Sequence, residues 1–242
     1  MIYNLRPARS IAAALAALVA ASLCAQPASA ARMLATYAGV VDTGTDATNA
    51  FGLGGTLDGA RFTAQFKFDT TLGTRTTTAV SDQVVGGPFW GGVSPIFYSA
   101  ITINGLTETF NTGQDGSANV FDQTTIFGRW AQTFVYSQFD AWTATTGDHE
   151  FLQLFVLDAP SPLSLTTPFT GSNIAVLTPP IVTNTVSKYR ISGGTVLDDY
   201  SAVLDPRTLM LRAIPEPATW MMLIGGFAAI GAAARRSRRT FA

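Results

Sequence analysis

Cysteine is nearly missing from this chain of 242 residues: the single copy, Cys24, lies inside an N-terminal run that reads as a removable leader. With the leader gone no thiol remains, which excludes disulfides, cysteine-ligated metals and cysteine nucleophiles together. Lipid modification is also disfavoured, because that cleavage needs a small residue before the cysteine and Leu23 holds the place. Histidine is as scarce. His149 is the only one, in Gly147-Asp148-His149-Glu150, and a lone imidazole cannot build a multi-histidine zinc site. No Gly-x-Ser-x-Gly elbow accompanies it, so a serine-hydrolase constellation has no support. Charged residues make up only 13% of the chain, and no basic stretch interleaved with aromatics marks a nucleic-acid partner. The glycines of 52–59 lack the strand-then-helix setting that a phosphate cradle needs.

What is present begins with an address. Arg6 and Arg9 precede an Ala/Leu-rich run from Ile11 to Leu23, and Ala28-Ser29-Ala30 supplies a small-residue cleavage pattern. That order predicts a secretory signal peptide over 1–30, cut after Ala30, and a Sec translocon as its partner. A buried N-terminal helix is the plainer alternative, but it explains neither the basic flank nor the small-residue exit.

The other end is built for a membrane. The run from Ala218 to Ala234 carries no formal charge. As a helix rising about 1.5 Å per residue it spans roughly 25 Å, the short limit for a hydrocarbon core of about 30 Å. Arg235, Arg236, Arg238 and Arg239 follow it, and positive residues stay on the cytoplasmic side. Trp220 suits the opposite interface. Gly225, Gly226 and Gly231 make the helix closely packable. Ahead of it, Pro215 and Pro217 hold Glu216 in extended backbone, and the helix can begin only after them. The expectation is a single transmembrane helix in contact with membrane lipid, carrying a rigid exposed tripeptide just outside.

Pro215, Glu216, Pro217, Trp220, the Gly225-Gly226 pair and the Arg235-Arg236 pair together resemble the PEP-CTERM sorting tail of Gram-negative bacteria, in its tryptophan-containing subtype. The resemblance is confined to the C-terminal end of the chain and is assigned here to 214–239. It implies processing by an exosortase, a membrane-embedded cysteine-protease-like enzyme acting near the Pro-Glu-Pro motif. It also implies association with exopolysaccharide, biofilm or envelope. On this reading the tripeptide is substrate for another enzyme and catalyses nothing.

The body between the two ends is mildly acidic, with nine basic and fifteen acidic side chains and a net charge of −6. One domain over 31–213 fits its length. Strand signals dominate. Arg61 to Asp69 alternates, with Phe62, Ala64, Phe66 and Phe68 on one face, as in a half-buried strand. Phe97 to Phe110 reads as two strands joined at Asn104-Gly105, a type I′ hairpin turn. Glu150 to Asp158 is apolar on both faces and suits a central strand. Met33–Val41, Ser187–Gly194, Thr195–Asp205 and Arg207–Ala213 complete the strands, with Asp205-Pro206 read as a break. Gly-rich stretches 40–60 and 81–99 read as loops, and short turns are expected near 145–150. Threonine is abundant throughout the body, which favours strands. The prediction is an all-β fold: an antiparallel β-sandwich, jelly-roll-like, with a closed barrel as runner-up.

Candidate chemistry in the body is thin. Asp42, Asp46 and Asn49, and again Asn111, Asp115 and Asn119, make oxygen-rich stretches that bring calcium to mind. Neither has EF-hand spacing, and turn chemistry explains them better, so no cofactor is expected, with calcium the one alternative. Phe89 and Trp90 sit between glycine pairs, suited to stacking on a sugar or to covering a sheet edge. Asp148-His149-Glu150 and Asp198-Asp199 read as surface turns. The function expected is that of a non-enzymatic exported protein, membrane-anchored transiently or permanently, destined for envelope or extracellular matrix and in contact with exopolysaccharide. The alternative is a polysaccharide-acting enzyme or carbohydrate-binding module on the same fold.

Overall fold

The computed structural model describes residues 32–79, 81–88, 90–110, 115–123, 128–136, 146–157, 165–166, 174–175, 184–192, 195–215, 224–225 and 227–228. Residues 1–30, expected from the sequence to be a signal peptide, lie outside them, as does most of the C-terminal apolar run.

Alternation fixes the most regular strand. β2 (Arg61–Asp69) buries Phe62, Ala64, Phe66 and Phe68 and turns Arg61, Thr63, Gln65 and Lys67 outward. Its neighbours are β1 (Arg32–Asp46) and β5 (Ile96–Ile103). The pairing alternates large with small: Ala64 lies between Tyr37 and Ile101, and Phe66 between Ala35 and Ser99. That complementarity lets Tyr37 and Phe66 meet edge to face, with centroids 6.0 Å apart. β5 turns into β6 (Leu106–Phe110) through Asn104 and Gly105, whose φ values of 53° and 80° are those of the expected type I′ turn.

The remaining strands are β3 (Thr74–Thr77), β4 (Ser81–Gly86), β7 (Asp115–Gln123), β8 (Gly128–Tyr136), β9 (Thr146–Leu157), β10 (Ile174–Ala175), β11 (Asn184–Ser192) and β12 (Thr195–Ala213). Every pairing among the described residues is antiparallel. The hydrogen-bonded order is β3-β4-β7-β8-β9-β11-β12-β1-β2-β5-β6, with β10 beside β12. The all-β antiparallel expectation therefore holds, but the strands form one continuous sheet rather than two. It rolls on itself: Val84 of β4, Ala118 of β7 and Leu152 and Leu154 of β9 share one core with Phe66, Phe68 and Ile101. Gly116 marks a close approach of the two halves, since a Cβ there would lie 2.7 Å from Ile96 Cγ1.

Several local expectations change. Residues 40–46 continue β1 and 81–86 form β4, because Asp82, Val84 and Gly86 alternate inward once β7 pairs alongside. The expected break at Asp205-Pro206 is absent. β12 runs through it by a bulge that leaves Arg207 unpaired opposite the Ala38–Gly39 step. Pro206 lacks the N–H for a regular ladder, and Gly39 faces it because a Cβ there would collide with the Asp205 carbonyl. Residues 146–150, expected as turns, open β9, and the supposed loop around Asp115 and Asn119 is β7.

Candidate functional site

The sheet ends where the tail begins. Ala213 pairs with Met33, and the Ile214 N–H donates to the Arg32 carbonyl at 2.9 Å. Pro215 follows, exposed and without an N–H to extend the ladder. The start of β1 and the root of the tail thus lie side by side. This end is pinned by Asp69, whose carboxylate accepts from Arg32 Nε at 3.2 Å and from the Thr71 N–H and hydroxyl at 2.9 and 2.6 Å. Burial pushes the Asp69 carboxyl up, but the Thr71 and Arg32 bonds outweigh it and hold it below the usual range. The Asp69 N–H donates to the Pro95 carbonyl at 2.9 Å, which brings the glycine-rich loop of Trp90 and Val93 to the same end.

Of the tail residues singled out by the sequence, Gly225 lies in a helical turn with Ile224. Ile224 and Phe227 are 65% and 67% exposed, so these apolar side chains are not packed into the body's core. Glu216, Pro217, Trp220, Gly226, Arg235, Arg236, Ala28 and Ala30 lie outside the described residues. Among the described residues no helix is long and apolar enough to cross a membrane.

The opposite mouth of the roll holds a feature that the sequence did not disclose. Asp46, Tyr200, Lys188 and Glu150 occupy one cross-strand row over β1, β12, β11 and β9. Glu108 of β6 reaches the row from across the roll: Lys188 Nζ lies 3.3 Å from Glu150 Oε1 and 3.7 Å from Glu108 Oε2. Burial lowers the Lys188 pKa, but the Glu150 and Glu108 charges outweigh it and raise it above its ordinary value. An ammonium held this way is no base or imine-forming nucleophile near neutrality. Burial and the surrounding carboxylates likewise push the Tyr200 phenol up. Two glutamates beside one lysine are thus a clamp across the roll. They differ from a glycosidase pair, in which the carboxylates flank open space for a sugar. Replacing Lys188 by Met is expected to cost about 1–2 kcal/mol at pH 7, discounted for partial exposure. The deficit should be full at pH 7 and smaller at about pH 11, where the wild-type ammonium begins to lose its proton. In the wild type the clamp's contribution is complete at neutrality and is lost only as pH rises through the raised lysine value. Urea unfolding at the two pH values measures both.

The other candidates resolve into structure. Asp46 accepts from the N–H groups of Ala50 and Phe51 at 2.7 and 2.8 Å, and the Asn49 side chain accepts from Gly54 N–H at 2.9 Å. This loop seats Phe51 edge-on to Tyr200 at 4.9 Å. Asp42 is exposed. Asp115 and Asn119 are buried on β7, while Asn111 lies outside the described residues, as does Phe89. His149 sits within β9 opposite Tyr189 rather than in a turn. Asp199 falls at a bulge in β12 and pairs with Arg190 at 3.4 Å. Among the described residues no group of three His, Asp or Glu could hold a metal ion. On the outward face of β1, β12 and β11, a shallow groove of about 640 Å³ is lined by hydroxyls, including Thr43, Thr45, Thr185, Ser187 and Ser201. Its one carboxylate, Asp58, is engaged by the Gly44 N–H at 2.8 Å.

Comparison with known proteins adds one match. Neither the curated proteins nor the solved structures contain a match to this chain. Residues 213–239 match the family described as the PEP-CTERM protein-sorting motif, which therefore begins on the last residue of β12. The chain thus ends in a PEP-CTERM sorting motif, the mark of an exported protein sorted through an exosortase-type C-terminal tail to the envelope or extracellular matrix.

Proposed function

We propose that the protein is a non-enzymatic cargo. It is exported by the Sec translocon, held in the membrane by residues 218–234 and released or retained by processing at Pro215-Glu216-Pro217. The observation that carries this reading is the junction itself: the matched motif starts where the sheet stops, and Pro215 is exposed. A protease working at the membrane then meets extended proline-fixed backbone instead of a strand locked in a ladder. Trp220 serves as interfacial anchor and Arg235 and Arg236 as the cytoplasmic stop. In the body, the hydroxyl groove supports contact with exopolysaccharide, because hydroxyls offer both donors and acceptors to a neutral polyol. An isolated, already bonded Asp58 supports binding over hydrolysis there.

Intact mass of the protein from cells that hold a matching exosortase tests the processing. The expected mature chain lacks 1–30 and the apolar run, and Glu216→Ala accumulates in the membrane fraction with its tail attached. A mature chain still ending in Phe241-Ala242 overturns the reading.

A further inference from the structure

We propose that the tail-proximal end of the body is a docking surface for an anionic bilayer. The inference rests on the reading of residues 218–234 as a membrane span. Ile214 is the last residue bonded to the sheet, and the apolar run opens shortly after it at Ala218. So short a piece of extended chain reaches at most about 14 Å, and the headgroup layer fills roughly half of that. The folded body has no linker with which to stand away. Whatever its end presents faces lipid headgroups within about one Debye length.

What it presents differs from the rest of the body. The net charge of the body is −6, yet Arg32, Lys67 and Arg212 gather here. Lys67 and Arg212 flank Leu34 in one cross-strand row, and Arg32 lies beside the tail root. Asp69 pairs with Arg32, whereas Lys67 and Arg212 form no ion pair among the described residues. Aromatic rings accompany the cations: Lys67 Nζ lies 4.2 Å from the Tyr98 centroid and the Arg32 guanidinium 5.5 Å from that of Phe97. Through the Asp69–Pro95 bond the loop of Trp90 and Val93 joins this end, and Val93 is 62% exposed. Cations with half-exposed rings and an exposed aliphatic tip are the composition that settles at a membrane–water interface. Against a hydrated polysaccharide Val93 would have no apolar layer to enter. The bilayer surface is the partner that uses both the charge and the apolar tip.

The full tail-bearing chain, in a Cys24→Ser background, is labelled with an environment-sensitive dye at Val93→Cys or at Leu197→Cys. Position 197 lies near the start of β12, whose other end, Ala213, adjoins the tail root. Both forms are reconstituted into vesicles of phosphatidylcholine alone, or of equal parts phosphatidylcholine and phosphatidylglycerol. The expected result is shielding of the 93 probe from aqueous acrylamide in the anionic vesicles only, reversed by high salt, with the 197 probe open throughout. Combining Arg32→Gln, Lys67→Gln and Arg212→Gln should weaken docking by roughly fivefold per charge removed. Equal exposure of the two probes overturns the proposal, and so does shielding that ignores lipid charge and salt. If the protein fails to float with vesicles at all, the membrane-span reading has failed instead, and the two failures are distinguishable.

Discussion

Phe66→Ala should cost the body about 3–5 kcal/mol, the usual range for a phenylalanine deleted from a packed core. For a body of this size that lowers Tm by roughly 6–20 °C. Phe66 is fully buried, lies between Ala35 and Ser99, and meets Tyr37 edge to face. The small partners explain why the site cannot collapse. Neither Ala35 nor Ser99 has side-chain atoms with which to fill the space, and Tyr37 is held by its own strand. Leu106→Ala, a truncation of a side chain 47% exposed on an edge strand, should change stability by less than about 0.5 kcal/mol. Urea midpoints of the two variants make the comparison. A Phe66→Ala cost below about 1 kcal/mol would show that the two halves of the roll do not close on this ring.

Asp82→Ala should be nearly as damaging, at about 2–4 kcal/mol. The Asp82 carboxylate, almost fully buried, accepts from Arg75 Nε at 3.0 Å and Nη2 at 2.8 Å, from the Thr77 hydroxyl at 3.0 Å and from the Leu165 N–H at 3.0 Å. Removing it strands all of these donors at once, though Arg75 recovers part of its loss from solvent. Burial pushes the Asp82 carboxyl up, but the bonds from Arg75, Leu165 and Thr77 prevail and lower it below the ordinary value of 3.8. A depressed folded pKa gives stability that is complete above the unfolded value and is lost as pH falls through the folded one. Asp69 shifts in the same direction, so the protein should weaken in acid below about pH 4. Asp82→Asn separates charge from shape. Its deficit against wild type should be clear at pH 7 and narrower at pH 3. A deficit of equal size at both values would mean that the negative charge contributes nothing.

Legibility in the sequence followed the locality of the cause. β2 and the Asn104-Gly105 turn were readable to the residue, because side-chain alternation and the φ preference of Asn-Gly act within a few positions. β4 looks like loop in the sequence because its inward residues, Asp82, Val84 and Gly86, include a carboxylate and a glycine. Only Arg75, Thr77 and Leu165 make the first of these an interior group. Pro206 marks an end of strand by local rules, but a bulge opposite Gly39 carries the strand past it. The Lys188 clamp had no local signal at all. In the run Val186 to Ile191, Tyr189 and Ile191 suggest that the opposite face, with Lys188 and Arg190, is the wet one. Glu108 joins Lys188 from β6, far earlier in the chain and not hydrogen-bonded to β11.

The sequence by itself determined the sorting signal: the PEP-CTERM motif over 213–239 is a linear pattern, legible without the fold of the body. It also determined that the body is made of antiparallel strands, since alternation and turn residues act over short range. Tertiary structure alone decided that one sheet rolls upon itself, that a lysine and two glutamates clasp it at one mouth, and that Arg32, Lys67, Arg212 and the loop of Val93 share the end of the sheet where the tail begins. Those outcomes depend on which strands become neighbours, a matter of long-range pairing on which local propensity is silent.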